Sequence, residues 1–311
     1  MTTPDVSSSP TPGHITFVFL DGVGLGVSSD VNPFATLDLP AFERLAGGQR
    51  WTADADAIAE SAHLFRPIDA TLGLDGLPQS GTGQATLFTG VNCAARAGRH
   101  FGPFPHSTSK PVIAEENLFL RLQRSGRTGA FANAYPDRFF RFAEDRGRWT
   151  VTTLCCVEAG VRLRREADLR AADALAADLT AAAWPERLGI DVPVLTPAEA
   201  GRRLARLSGG ADLTLFEYYL TDKAGHSRAA ARAAAVLRDL DAFFGALLGA
   251  LGPDDLLVVT SDHGNLEDLG TKTHTRNPIP FVAVGAGAGR LADVASLTDV
   301  TPALAALQRR A

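Results

Sequence analysis

Three carboxylates and three histidines are spaced along this chain in a way that points first to metal chemistry. Asp262 and His263 stand side by side in Thr260-Ser261-Asp262-His263-Gly264-Asn265, directly after the apolar run Asp255-Leu256-Leu257-Val258-Val259. Asp222 is followed four residues on by His226, His274 comes after the Asp-His motif, and Asp21 ends the run Ile15-Thr16-Phe17-Val18-Phe19-Leu20. A strand that ends in Asp-His brings a carboxylate and an imidazole to one point, a donor set suited to a borderline divalent ion. Six such donors suffice for two ions that keep open positions. Each residue alone has a plainer reading: Asp21 before Gly22 could cap a turn, and His226 could be a helix-start histidine. The set weighs more, because His14, His63, His100 and His106 lie away from these aspartates while the other three of the seven histidines do not.

Strands and helices must carry these residues. The runs 15–20, 213–220, 256–260 and 280–284 read as buried strands, and the first three deliver Asp21, Asp222 and Asp262 to strand ends. Weaker strands are expected at 68–72, 128–134 and 150–154. Helices are expected after Leu39-Pro40, around 115–125, over 166–183, over 229–251 and from about Thr301. Gln79-Ser80-Gly81-Thr82-Gly83-Gln84-Ala85-Thr86 reads as a helix start rich in small and hydroxyl residues, whose backbone N–H groups favour an anion. The alternation predicts an α/β fold, a mostly parallel β-sheet sandwiched by helices. Residues 14–311 form one domain, with the segment 135–200 readable either as core or as a small cap. Residues 1–13, rich in Ser, Thr and Pro, read as a disordered leader.

Composition narrows the classes. With 311 residues and 45% hydrophobic content the chain can bury a full core. A net charge of -5 argues against nucleic acid as the main partner, and no run approaches the roughly 18 apolar residues of a membrane span. Cys93, Cys155 and Cys156 form no disulfide framework, which fits a reducing compartment and predicts a cytoplasmic protein. Oligomeric state is not legible.

The pieces Val18-Phe19-Leu20-Asp21-Gly22-Val23-Gly24, Ser80-Gly81-Thr82-Gly83, Asp222-Lys223-Ala224-Gly225-His226, Asp262-His263-Gly264-Asn265 and His274-Thr275 occur in that order over most of the chain. In them the sequence resembles the alkaline phosphatase superfamily, in the branch that includes cofactor-independent phosphoglycerate mutase and phosphopentomutase. The resemblance implies two divalent ions, Mn²⁺ or Zn²⁺, at the C-terminal edge of the sheet. Asp222, His226 and His274 would hold one ion; Asp21, Asp262, His263 and the nucleophile would hold the other. It implies Ser80 as that nucleophile, since the family's Ser or Thr stands three residues before a glycine, here Gly83; Thr82 is the alternative. A hydroxyl held against a divalent cation sheds its proton more readily than a free one, so the residue type fits attack on phosphorus. Arg99, His100, Asn133, Lys223 and Arg276 are candidate contacts to a phosphorylated substrate.

Other motif readings fit less well. A P-loop needs Lys where Gln84 stands, and the Gly-x-Ser-x-Gly turn of an α/β-hydrolase would need glycine at Pro78. No cysteine has the Pro and Arg neighbourhood of a sulfatase. The mutases carry His where this chain has Gln84, and phosphoglycerate mutase inserts a large second domain for which the segment from about 90 to 210 is too short. The sequence therefore predicts a two-metal phosphatase or phosphodiesterase acting on a small phosphorylated metabolite through a phosphoserine. A phosphomutase, or a metal-binding relative without turnover, is the alternative.

Overall fold

In the computed structural model, which describes residues 11–307, the run that ends at Asp21 lies near the middle of a seven-stranded sheet. In chain order the elements are β1 (His14–Leu20), α1 (Pro33–Thr36), α2 (Pro40–Leu45), β2 (Ile58–Ala59), β3 (His63–Ile68), α3 (Ser80–Thr89), α4 (Cys93–Ala97), α5 (Ser109–Glu116) and α6 (Leu118–Arg124). They continue with β4 (Gly129–Phe131), β5 (Asn133–Ala134), α7 (Asp137–Arg146), α8 (Val151–Glu158), α9 (Glu166–Arg170), β6 (Leu175–Ala176) and α10 (Pro197–Ser208). The last are β7 (Leu213–Tyr218), α11 (Leu220–Ser227), α12 (Ala230–Ala250), β8 (Asp255–Ser261), β9 (Ile279–Gly285) and α13 (Leu297–Leu307).

The sheet order is β2-β3-β9-β8-β1-β7-β4. β1 pairs in parallel with β7 and β8, and β4 in parallel with β7, whereas β9 runs antiparallel to both β8 and β3. The fold is α/β with helices on both faces, as expected. Alternate residues of β1 divide between the layers: Ile15, Phe17 and Phe19 pack with α3, α5, α6, α8 and α13, while Val18 and Leu20 pack with α2, α10 and α12. A strand buried on both faces reads as a continuous apolar run, which is why it was legible. Phe88 of α3 sits edge-on to Phe19, with ring centroids 5.5 Å apart, and 6.1 Å from Phe17. Burying one such ring is worth about 2–3 kcal/mol, so these contacts hold the helix that begins at Ser80 against the sheet.

Several elements differ from expectation for physical reasons. Residues 150–154 are not a strand: Val151–Glu158 is helical, with the Thr150 side chain accepting the Thr153 N–H, and residues 151–156 are all buried. Continuous burial against α3 and α5 overrides the β-propensity of Val-Thr-Thr. The Ala-rich stretch 166–183 is helical only over Glu166–Arg170. Ala172, Leu179 and Ala181 take left-handed backbone conformations; Ala181 joins a small separate apolar cluster around Trp184, Leu169 and Val192, while Leu179 packs in the layer with α10 and α12. The helix around 115–125 is two helices broken at Asn117, whose side chain caps the second. The strand expected at 68–72 lies earlier, at His63–Ile68, and the one at 128–134 splits between β4 and β5, the latter pairing with β6 in a second sheet. The C-terminal helix starts at Leu297. The expected disordered leader falls mainly on residues 1–10, outside the described residues. Among the described residues no helix is long and apolar enough to cross a membrane.

Candidate metal centre and nucleophile

Asp21 and Asp262 each stand one residue past the end of a strand, β1 and β8, and neighbouring parallel strands bring both carboxylates to one edge. Asp222 reaches the same edge differently. β7 ends at Tyr218, and Asp222 lies in the first turn of α11, with His226 one turn on. The four-residue spacing places both on one helix face, so this pair is a helical and not a strand-end motif. Gly22, with φ of +72°, makes the turn after Asp21 while its α-carbon passes so close that a Cβ there would stand 2.8 Å from the Asp222 Cβ. This is the close approach that brings Asp21 and Asp222 together.

Five of the six residues assemble into two groups that share His263. Ligand atoms of Asp21, Asp262 and His263 lie within 4.8 Å of one another, as do those of Asp222, His263 and His274. His263 Nε2 is 3.4 Å from Asp21 Oδ1 and 3.5 Å from Asp262 Oδ2. His226 Nε2 is 3.4 Å from Asp222 Oδ2 and 3.1 Å from His274 Nε2, so it joins the second group from its more exposed side. The rings of His263 and His274 stack at 3.7 Å. In all three histidines Nδ1 faces a backbone carbonyl: Lys272 at 3.0 Å for His226, Gly264 at 3.3 Å for His263, and Pro78 at 2.7 Å for His274. Such contacts favour the tautomer with the proton on Nδ1 and the Nε2 lone pair toward the cluster, the usual second contact of a ligating imidazole.

The electrostatics call for a cation. Burial, reinforced by Asp262 and Asp222, pushes the Asp21 carboxyl well above its ordinary range, and burial raises Asp262 to about 7. Burial and the neighbouring His274 lower His263 to about 3. At Asp222 burial acts upward but is outweighed by His274, His263 and Asn265, which bring it down to about 2. Asp21 Oδ1 is buried and accepts no hydrogen bond from the described residues. An enclosed acceptor of this kind beside a second carboxylate, with three imidazole Nε2 atoms nearby, fits one or more divalent cations by donor chemistry.

Ser80 opens α3, and its Oγ lies 2.9 Å from His263 Nε2. Thr82 is turned away, its hydroxyl bonding with the backbone of Phe101. One turn after Ser80, Gln84 donates from Nε2 to Asp262 Oδ2 at 3.1 Å and to Asp21 Oδ2 at 3.4 Å. Its role was missed in the sequence, where it registered only as a departure from histidine. Glu267 was missed as well. It is 1% exposed and accepts from the N–H groups of Gly24 and Asn265 at 2.9 and 2.8 Å, from Asn277, and from the Thr275 hydroxyl. It fixes the loop between Asp262 and His274, while Asn265 donates to Asp222 Oδ1 at 2.6 Å.

The expected substrate contacts separate. Lys223 lines the same cavity as Ser80, a cleft of about 710 Å³ whose floor includes Asp21, Gln84 and Asp222. Arg99 and His100 instead line a neighbouring hollow of about 540 Å³ with Gln79 and Gly102. Arg276 holds the carbonyls of Leu74 and Gly76. Asn133 is buried, its amide donating to the Glu217 carbonyl at 2.7 Å and accepting the Glu217 N–H at 2.9 Å, which stitches β5 to β7. Arg138 reads as a surface or cap arginine in the sequence, yet it lines the Ser80 cleft, as do Tyr135 and Phe139. Glu217, raised to about 7 chiefly by burial, lies at the cleft wall and accepts from Thr152 at 2.6 Å and Tyr135 at 3.3 Å.

Known proteins match parts of this chain in sequence or in fold. A sequence model of the metalloenzyme superfamily matches residues 203–308, the stretch that carries five of the six acidic and histidine residues. Over 108 residues the chain is 32% identical to a 2,3-bisphosphoglycerate-independent phosphoglycerate mutase of Cellvibrio japonicus, covering 32% of this chain and 21% of that one. Over 83 residues it is 40% identical to a phosphopentomutase of Shewanella baltica, covering 26% of this chain and 20% of that one. The matched stretch thus spans about a fifth of the length of these relatives. A variant of the alkaline phosphatase from the Antarctic bacterium TAB5 shares the fold, with a TM-score of 0.54 at 12% identity over 98% of this chain and 100% of that one. The chain therefore combines an alkaline phosphatase-like α/β fold with a C-terminal third that carries the sequence of the metalloenzyme superfamily.

Proposed function

We propose that this protein is a metal-dependent phosphoric ester hydrolase that forms a phosphoserine at Ser80 and passes the phosphoryl group to water. The observation that carries the reading is the Ser80 hydroxyl, 2.9 Å from His263 Nε2 at the start of α3, beside two buried carboxylates and at the floor of an open cleft. Asp21, Asp262, His263 and Ser80 would hold one divalent ion, and Asp222, His226 and His274 a second; Mn²⁺ and Zn²⁺ both suit these donors. Bound there, the ions would lower the pKa of the attacking hydroxyl and offset the charge that gathers on the phosphoryl oxygens.

The chain's own residues do the rest. Ser80 Oγ attacks phosphorus, its proton passes through water in the cleft to the ester oxygen, and the bond from phosphorus to that oxygen breaks as the alcohol departs. Water then attacks the same phosphorus, releasing phosphate and restoring Ser80. The positive end of α3 favours the anion, although its Thr82 N–H is held by the Phe101 carbonyl at 2.8 Å. Gln84 keeps Asp21 and Asp262 aligned, and Lys223 supplies positive charge at the wall of the cleft.

The test is phosphate release from aryl phosphate mono- and diesters by the purified protein loaded with Mn²⁺ or Zn²⁺. Ser80→Ala is expected to lower turnover by roughly a thousandfold or more while metal is retained. Undiminished turnover in that variant would remove Ser80 as nucleophile, and no release from any ester by metal-loaded protein would favour a binding role without catalysis. The mutase reading has support in the named relatives. It requires the phosphoryl group to return to a second hydroxyl of the same molecule, so positionally labelled sugar or glycerate phosphates would show label migration instead of free phosphate.

A further inference from the structure

The wall above Ser80 is made of rings. Tyr135 and Phe139 stack at 4.2 Å with 21° between their planes, and Phe142, one turn beyond Phe139 on α7, is 46% exposed and faces the same cavity. Phe104 closes another side beneath the Arg148 guanidinium, 4.5 Å from its ring, and Tyr219 lies under the Lys223 ammonium at 4.3 Å. A single exposed ring needs no explanation, but five aromatic side chains converging on one cavity do.

Several neutral polar groups of that cavity already have partners. Gln84 is bound to two carboxylates, the Tyr135 hydroxyl donates to Glu217, and Thr150 Oγ1 is engaged by Thr153 at 2.8 Å. The Lys223 ammonium already sits over Tyr219 and one face of Phe139 lies on Tyr135, whereas Phe142, which meets no other ring among the described residues, and the Arg138 guanidinium remain open to a flat π-system. The volume, about 710 Å³, leaves room for a bulky group beyond the phosphate.

We infer that the preferred substrate of this site is a phosphate ester whose alcohol carries a planar aromatic group, seated against Phe139 and Phe142. The inference rests on the hydrolase reading for its chemistry, though not for its binding. The group lies beyond the reacting phosphorus, so its contribution appears in KM more than in kcat.

A purine nucleoside 5′-monophosphate and ribose 5-phosphate leave through the same primary 5′-oxygen and differ at the anomeric carbon, which carries the base in one and a hydroxyl in the other; this makes them a matched pair of probes. The metal-loaded protein is expected to favour the nucleotide by roughly ten- to hundredfold in kcat/KM, and Phe142→Ala to bring that ratio toward one. Phe142 is exposed, so this variant does not threaten folding; Phe139→Leu, which keeps an apolar filler, is the second. If neither ester is turned over, the ratio of their Kd values for metal-loaded Ser80→Ala, with and without Phe142→Ala, decides the matter. A ratio near one, or one that Phe142→Ala and Phe139→Leu leave unchanged, overturns the aromatic subsite whichever way the hydrolase test falls.

Discussion

Gln84 occupies the one position from which a single amide can reach two carboxylates. It is 4% exposed, and its Nε2 donates to both Asp262 and Asp21, which repel one another in a buried setting. An imidazole there would compete with its neighbours for a proton or a cation, whereas an amide donates at every pH. Gln84→Ala should therefore leave the ligand set intact and weaken metal binding by roughly ten- to hundredfold, read by chelator competition. An affinity equal to wild type would show that α3 positions Ser80 without positioning the carboxylates.

At the level of elements, the first turn of α3 is where packing and chemistry meet. A Cβ on Gly81 would stand 2.1 Å from the Phe104 carbonyl oxygen and 2.7 Å from that of Phe101. The glycine lets the segment that carries Phe104, a wall of the cleft, lie directly on the helix that carries Ser80. Because the opposing atoms are backbone, no side chain can rotate away. Gly81→Ala is expected to destabilise the protein by about 1–3 kcal/mol in urea unfolding and to raise KM as Phe104 is displaced. α7 and α8 frame the other side of the cleft, and their sequences mislead in opposite ways. The aromatic side chains of α7 resemble a surface loop until the helix turns Phe139 and Phe142 toward Ser80, and the β-branched start of α8 resembles a strand until burial on all sides makes it a helix.

The whole molecule stores acidic charge at one edge of its sheet, and this sets its dependence on pH and metal. Glu217 and Asp262 are each raised to about 7, mainly by burial. Unfolded, both would ionise near pH 4, so between about pH 4 and 7 the native chain holds more protons than the unfolded one. The stability this gives is present at the acid end and is lost as pH rises through 7. His263, held at about 3 against an unfolded value near 6.5, acts the other way, while Asp21, raised as well, adds to the loss; on balance chelated protein should lose stability from pH 4.5 to 7, with each group contributing at most about 1.4 kcal/mol per pH unit. Glu217→Gln should flatten the slope, and Mn²⁺ or Zn²⁺ should raise the melting temperature most at neutral pH. A slope the same in Glu217→Gln as in wild type would show that Glu217 ionises freely in the fold.

What the sequence determined by itself was the chemistry-bearing set and the strands that deliver it. Asp21 and Asp262 end apolar runs buried on both faces, and such runs are visible without coordinates because every position along them must be apolar. His226 was legible from its four-residue spacing to Asp222, although that spacing belonged to a helix. Only the tertiary structure decided which polar groups are already spent and which face the cleft. Asn133 and Arg276 hold backbone carbonyls, Arg99 and His100 line a different hollow, and Arg138, Phe139 and Phe142 line the cleft itself. Local sequence carries propensity and period, but the partner of a polar side chain or an exposed ring comes from residues about a hundred or more positions away, as Gln84 and Asp262 or His274 and Pro78 illustrate. The direction of those side chains follows from packing helices across a sheet, a property of the assembled layers that no single stretch contains.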